Sequence, residues 1–116
     1  MESRICGIGI DMVEIKDVAR ARFKERVAEY FLTPEEMAPV FGPKSEQYLA
    51  SRFAAKEAVI KAFPDALSPM EFRIEKNGIK PVVYFLAPQK RALYIADISL
   101  THTRTSAAAV AIIRTR

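Results

Sequence analysis

Apolar residues recur along this chain with two different periods. In ICGIGI (5–10), Ile8 and Ile10 alternate against glycines, which predicts a short strand ending at Asp11. From Val13 the period lengthens, and Ile15, Val18, Ala19, Phe23, Val27 and Tyr30 or Phe31 share one helical face. TPEE (33–36) reads as a helix start, with Thr33 as cap, Pro34 at the first helical position and Glu36 completing a capping box. FGPKS (41–45) breaks the chain. A long helix is predicted from about Ser45 to Phe63, with Pro64 as its stop. The second half returns to a period of two. MEFRIEK (70–76) alternates, Asn77-Gly78 signals a hairpin, and PVVYFL (81–86) is the return strand. PQKRALY (88–94) suits a short helix, and DISLTHT (97–103) and SAAAVAII (106–113) are two further strands. No repeat, low-complexity tract or linker interrupts residues 1–116. The pattern predicts one α+β domain, a mostly antiparallel sheet packed against one long helix.

The long helix places charges among apolar residues. With Leu49 at zero and about 100° per residue, Phe53, Ile60 and Phe63 fall within about 40° of it. Lys56 falls inside that arc at about −20°, Glu57 at its edge at about +80°, and Lys61 one turn beyond at about +120°. Two readings stand. Lys56 can run its stem along the core while Glu57 and Lys61 form an ordinary surface pair. Alternatively, the edge of the helix lines a cleft that holds a cation and an anion.

Composition narrows the classes. The 116 residues are 50% hydrophobic and 28% charged, an ordinary globular balance for one small domain. A chain this small builds a deep site most easily between subunits. The net charge of +4 and a pI of about 9.4 suit an acidic partner or a phosphate-rich ligand. Acidic residues scattered among the basic ones argue against a nucleic-acid module. Cys6 is the one cysteine, which excludes an intrachain disulfide and a cysteine-based metal site. MESRICGIGI lacks the features of a secretory leader, and no run is long and apolar enough to span a membrane. A cytoplasmic protein is the expectation.

Candidate chemistry lies in five places. GIGID (7–11) carries a strand into Asp11, with glycines that permit close backbone approach or positive φ; a turn ending in a capping Asp reads the same way. If Asp11 meets Glu57, the two carboxylates need a cation between them. A few oxygen ligands suit Mg²⁺, which completes its shell with water and substrate phosphates, and Lys61 would then neutralise phosphate charge. His102, the one histidine, is either bonded to a nearby carbonyl or a donor to a phosphate. Lys44, Arg52 and Lys56 flank or enter the helix as a solvated face or an anion site. RARFKER (20–26) is an exposed face or a docking surface for an acidic partner.

Taken together and in order, GIGIDMVEI, FLTPEE, SRFAAKEAVIKAF, NGIKP and SLTHT resemble the holo-[acyl-carrier-protein] synthase family, the short bacterial type of the 4'-phosphopantetheinyl transferase superfamily. The resemblance covers nearly the whole chain. The pairing of G-I-G-x-D-x-x-E with R-F-A-A-K-E-A makes it specific. It implies a 4'-phosphopantetheinyl transferase-like fold and transfer of the phosphopantetheine arm of coenzyme A to a serine of an apo acyl carrier protein, releasing adenosine 3',5'-bisphosphate. It further implies Mg²⁺ held by Asp11 and Glu57, and Lys61 balancing charge on the transferred phosphoryl group. His102 is implied to contact the pyrophosphate from a neighbouring subunit of a homotrimer. Lys44, Arg52, Lys56, Lys61, Pro81 and His102 are the implied coenzyme A contacts.

Three departures from the family pattern stand out. PDALS (64–68) replaces a Gly-Thr-Gly turn after the long helix, Ile79 intervenes in NGIKP, and Asp17 stands where a carrier-docking Arg is common, with Arg20 one turn on. The alternative they support is a related domain that binds coenzyme A or a carrier protein with weak or no turnover.

Overall fold

The computed structural model describes residues 2–19, 28–38 and 44–116. Strand β1 (Ile5–Glu14) pairs antiparallel with β5 (Ser106–Thr115), which pairs antiparallel with β4 (Tyr94–His102). A separate two-stranded sheet joins β2 (Phe72–Asn77) and β3 (Lys80–Phe85). Among the described residues are the helices α1 (Ile15–Ala19), α2 (Ser45–Ala62) and α3 (Pro88–Leu93), with 3₁₀ turns at Pro34–Glu36 and Pro69–Glu71. The architecture is the predicted α+β one. Strand β1 runs past Asp11 to Glu14 because its pairing with β5 continues to Glu14↔Ser106. TPEE forms one 3₁₀ turn, in which the Glu36 side chain accepts the Thr33 N–H at 2.8 Å. The expected helical face at Phe23 and Val27, the basic stretch 20–26 with Arg20, and residues 41–43 of the predicted break lie outside the described residues.

The glycines of β1 set the distance between sheet and helix. A Cβ at Gly7 would lie 2.0 Å from the Ala62 carbonyl oxygen, and one at Gly9 would lie 2.1 Å from that of Ala58. Backbone therefore meets backbone, and the small residues Ala54, Ala55, Ala58 and Ala62 of α2 close the contact. The main core adds Val59, Phe63, Phe72, Ile74 and Phe85 and the inward residues Ala109, Ala111 and Ile113 of β5. A second cluster of Ala28, Phe31, Leu32 and Leu49 covers another side of α2, with Phe31 and Phe53 edge to face. The single apolar arc predicted for this helix is thus too narrow. The helix is buried on more than one side, and alanines do most of the packing against the sheet.

The hairpin turn is Gly78-Ile79, closed by Asn77↔Lys80. Gly78 has φ +67° and Ile79 does not share that sign, the pattern of a turn with Gly in its first central position. Ile79 is thereby the tip of the hairpin and is 94% exposed. Among the described residues no helix is long and apolar enough to cross a membrane.

Candidate active site

Alternation along β1 turns Gly7, Gly9, Asp11 and Val13 toward α2. The close contact at the two glycines then brings Asp11 against the C-terminal half of that helix. Lys61 donates to Asp11 Oδ1 at 3.1 Å and to the Ile10 carbonyl oxygen at 3.2 Å. The Asp11 side chain is 18% exposed and that of Lys61 is 53% exposed, so the ammonium sits at a mouth open to solvent. Glu57 lies one turn before Lys61 on the same side of the helix, and among the described residues its carboxylate has no hydrogen-bond or ion-pair partner. The surface pair Glu57–Lys61 is therefore not formed, because Lys61 turns to Asp11. No group of three or more His, Cys, Asp or Glu able to hold a metal occurs among the described residues. Two carboxylates suit a hard cation that takes its remaining ligands from water and a phosphate-bearing substrate. The Lys61 ammonium beside Asp11 already marks this as a place where positive charge is stable.

A second feature lies at the other end of the helix. A cleft of about 420 Å³ is lined by Lys44, Arg52, Lys76 and His102, with Tyr48 and Pro81, and by no Asp or Glu among the described residues. Arg52 is 5% exposed, its guanidinium lies 5.1 Å from the centre of the Tyr48 ring, and its Nε has no hydrogen-bond partner among the described residues. A buried donor left unsatisfied costs about 1–3 kcal/mol. The cationic lining of the cleft suits an anion. Burial raises the pKa of the Tyr48 phenol, which stays protonated and donates to the Glu36 carbonyl oxygen at 2.6 Å. The Gln47 amide nitrogen lies 2.8 Å from His102 Nε2, and His102 Nδ1 lies 3.4 Å from the Thr103 carbonyl oxygen. Gln47 donating to Nε2 leaves the imidazole proton on Nδ1. Lys44 precedes α2 with φ +63°, a left-handed conformation that few residues other than glycine adopt. It is held there at the rim of the cleft.

Lys56 belongs to neither feature. It is 1% exposed, and its ammonium lies 2.9 Å from Glu36 Oε1, 2.7 Å from the Pro69 carbonyl oxygen and 2.5 Å from that of Phe72. Burial lowers its pKa, and the bond to Glu36 opposes that shift. With three acceptors and no path to the cleft, Lys56 ties the 33–36 turn, α2 and β2 together, which removes it from the expected ligand contacts. Gln47, Tyr48 and Lys76 were not singled out by sequence reasoning. The spacing of Lys44, Tyr48 and Arg52 by four would have exposed Tyr48; Lys76 reaches the cleft only through the hairpin, and nothing local signals that.

The two features face different ways. Residues 47–52 and the pair Glu57 and Lys61 are separated by roughly 130° around α2 and by about 14 Å along its axis. His102, implied to come from a neighbouring subunit, lines the same cleft as Lys44 and Arg52 of its own chain. The cleft and the histidine therefore form one unit, and the pair Asp11–Lys61 lies apart from it, with Glu57 one turn before Lys61 on α2.

Sequence and structure comparisons give the family of the chain. Residues 7–112 match the model of the 4'-phosphopantetheinyl transferase superfamily. The chain is 36% identical to holo-[acyl-carrier-protein] synthase of Nitratidesulfovibrio vulgaris (strain DP4), over 94% of this chain and 98% of that one. The crystal structure of holo-[acyl-carrier-protein] synthase from Neisseria meningitidis superposes with a TM-score of 0.81 at 28% identity, covering 95% of this chain and 98% of that one. The Bacillus anthracis str. Ames synthase in complex with coenzyme A (3',5'-ADP) also gives 0.81, at 25% identity, covering 97% of this chain and 98% of that one. With the superfamily model matching most of its length, the chain belongs to the holo-[acyl-carrier-protein] synthase family of 4'-phosphopantetheinyl transferases.

Proposed function

We propose that this chain moves the 4'-phosphopantetheine arm of coenzyme A onto a serine of an apo acyl carrier protein, with Mg²⁺, and releases adenosine 3',5'-bisphosphate. The observation that carries this reading is the division of charge along α2. Asp11 is paired with Lys61, and Glu57 stands one turn before Lys61 on α2. Lys44, Arg52, Lys76 and His102 form a cation-lined cleft, with Arg52 buried against the Tyr48 ring. Phosphoryl transfer asks a protein mainly for positioning and neutralisation of charge, and these two features provide both. In the reaction the serine oxygen forms a bond to the β-phosphorus as the bond to the bridging oxygen breaks, and the bisphosphate leaves with that oxygen. The serine proton goes to a base on the carboxylate face, Asp11 or Glu57. Lys61 sets its charge beside the transferred phosphoryl group. Arg52, Lys44 and His102 hold the phosphates of the leaving half, and Pro81 lies against it. Asp11 and Glu57 are the residues that would hold Mg²⁺, which when bound would supply Lewis-acid neutralisation of phosphate charge.

One chain does not bring the carboxylate face and the cation cleft together, so the complete site forms between subunits of a homotrimer. The open face of β1 supports this: Ile8, Ile10 and Met12 are each 68–69% exposed there, an apolar patch that an isolated small domain would rarely leave bare. The net charge of +4 suits an acidic carrier protein.

The test is chromatographic detection of adenosine 3',5'-bisphosphate from coenzyme A and an apo carrier. Release should match holo-carrier formation one to one, stop on removal of Mg²⁺, and fall below detection in Asp11→Asn and Glu57→Gln at unchanged oligomeric size. Normal release by both variants would refute the carboxylate assignment.

A further inference from the structure

His102 is the last residue of β4, where it pairs with Ala107 of β5. The turn after it is braced. The Thr103 N–H donates to the Ser106 carbonyl oxygen at 2.8 Å, and the Thr103 hydroxyl accepts from the N–H groups of Thr105 and Ser106 at 3.2 and 3.1 Å. The backbone at this edge of the cation-lined cleft is thereby held, yet the His102 side chain is exposed. An exposed imidazole keeps its rotamer freedom unless a partner takes it away. Two contacts are present. Gln47, 55 residues away on α2 and half-buried, sets its amide nitrogen 2.8 Å from Nε2, and the Thr103 carbonyl oxygen lies 3.4 Å from Nδ1. The first has the length of a good hydrogen bond, and the second lies beyond the usual range.

The unequal contacts give the two ring nitrogens different work. An amide nitrogen only donates, so Nε2 accepts and the proton of the neutral ring sits on Nδ1. That N–H is only loosely engaged by its own chain. Lys44, Arg52 and Lys76 line the same cleft, and no Asp or Glu does among the described residues. An anion drawn in by these cations meets a donor that is free to turn to it. A carboxylate at position 47 would reverse both conditions. It only accepts, so it would call a proton onto Nε2, and it would set negative charge among the cations. A glutamine holds the ring and leaves the charge of the cleft unchanged.

We infer that Gln47 is a positioning residue, which grips His102 through Nε2 and so presents Nδ1–H, not Nε2–H, to a phosphate oxygen in the cleft. The inference rests on the proposed placing of the bisphosphate half beside His102. It assigns a role to a residue that touches the histidine rather than the reacting atoms. It also makes the end of β4 and the first turns of α2 one unit across the mouth of the cleft.

His102 is the one histidine in the chain, so imidazole nitrogen NMR signals of the whole protein belong to it without further assignment. Long-range nitrogen–proton spectra at about pH 9, above the ordinary histidine range, read which ring nitrogen carries the proton. The natural chain should carry it on Nδ1. Gln47→Glu should place a proton on Nε2, and Gln47→Met, similar in size but without a donor, should let it pass to Nε2 in part. A proton on Nε2 in the natural chain, or a natural spectrum in both variants, would overturn the inference. Affinity for adenosine 3',5'-bisphosphate gives the second readout. Gln47→Met should weaken it at least about fivefold in the natural background and by less than about twofold in His102→Ala, because coupled residues are not additive. Equal losses in the two backgrounds would show that Gln47 does not act through the histidine. Failure of the natural chain to bind the bisphosphate would refute the functional reading, and with it the presentation of Nδ1–H to a phosphate.

Discussion

Lys56 shows how far a single residue can be read. Its place inside an apolar arc is visible in the sequence, and so is the choice between a ligand contact and a structural role. The structure decides for the second, through a partner twenty residues away. Glu36 accepts from Lys56, from the Thr33 N–H and from the Ile74 N–H at 2.8 Å, so one buried carboxylate fastens three segments. Removing one member of a buried pair strands the other, at about 3–5 kcal/mol. Lys56→Met should cost that much in chemical denaturation. A double-mutant cycle with Glu36→Gln should show coupling, and strict additivity would remove the pair from the account. Arg52 predicts the opposite. Its Nε is buried without a partner, so Arg52→Met should keep or raise the melting temperature while weakening coenzyme A binding at least about tenfold, near 1.4 kcal/mol. Glu71 supplies a pH dependence. The Ser68 N–H, at 2.6 Å from its carboxylate, lowers its pKa, with Lys90 adding to the shift. A carboxylate with a depressed folded-state pKa stabilises the fold above its unfolded value and loses that contribution as pH falls through the folded one. The gap in melting temperature between the natural chain and Glu71→Ala should be present at pH 7 and narrow below about pH 4, near the ordinary carboxylate value. A gap that widens in acid would contradict it.

At the scale of elements, the contact between β1 and α2 places the site. Gly7 and Gly9 are read in the sequence as sites of close approach, and the structure shows what approaches: the carbonyls of Ala62 and Ala58. Gly9→Ala should push helix and strand apart, cost about 1–3 kcal/mol as overpacking does, and impair transfer because Asp11 and Lys61 lie on the two displaced elements. A fully active, equally stable Gly9→Ala protein would show that the spacing is not critical. The periodicities located most strands and the long helix to within a few residues. They missed the extension of β1 to Glu14 because that depends on pairing with β5, a contact between opposite ends of the chain. They also drew too narrow a face for α2. Alanine carries little periodic signal, yet alanines make most of the helix–sheet contact. Asp11, Glu57, Lys61, Lys44, Arg52 and His102 were all visible as candidates. The separation of Arg52 from Glu57 and Lys61 around one helix follows from helical spacing. The single-chain cleft that unites His102 with Arg52 does not, because it requires the hairpin and β4 to converge.

At the scale of the whole molecule, a site divided between subunits has a distinctive consequence. Asp11→Asn spoils the carboxylate face and Arg52→Met spoils the cleft, each on its own chain. If neighbouring chains combine the two, mixing the weakened proteins under conditions that exchange subunits should restore part of the activity, since some interfaces then pair an intact face with an intact cleft. No recovery on mixing would mean that each chain uses its own two halves. Ile10→Asp, on the open face of β1, should dissociate the assembly and remove activity together; a fully active monomer would have the same meaning.

The most direct measurement is the intact mass of an apo acyl carrier protein incubated with this protein, coenzyme A and Mg²⁺, beside a control with EDTA. The account predicts a gain of one phosphopantetheine arm, absent with EDTA. An unchanged carrier mass, across several apo carriers and with folded protein, would contradict it.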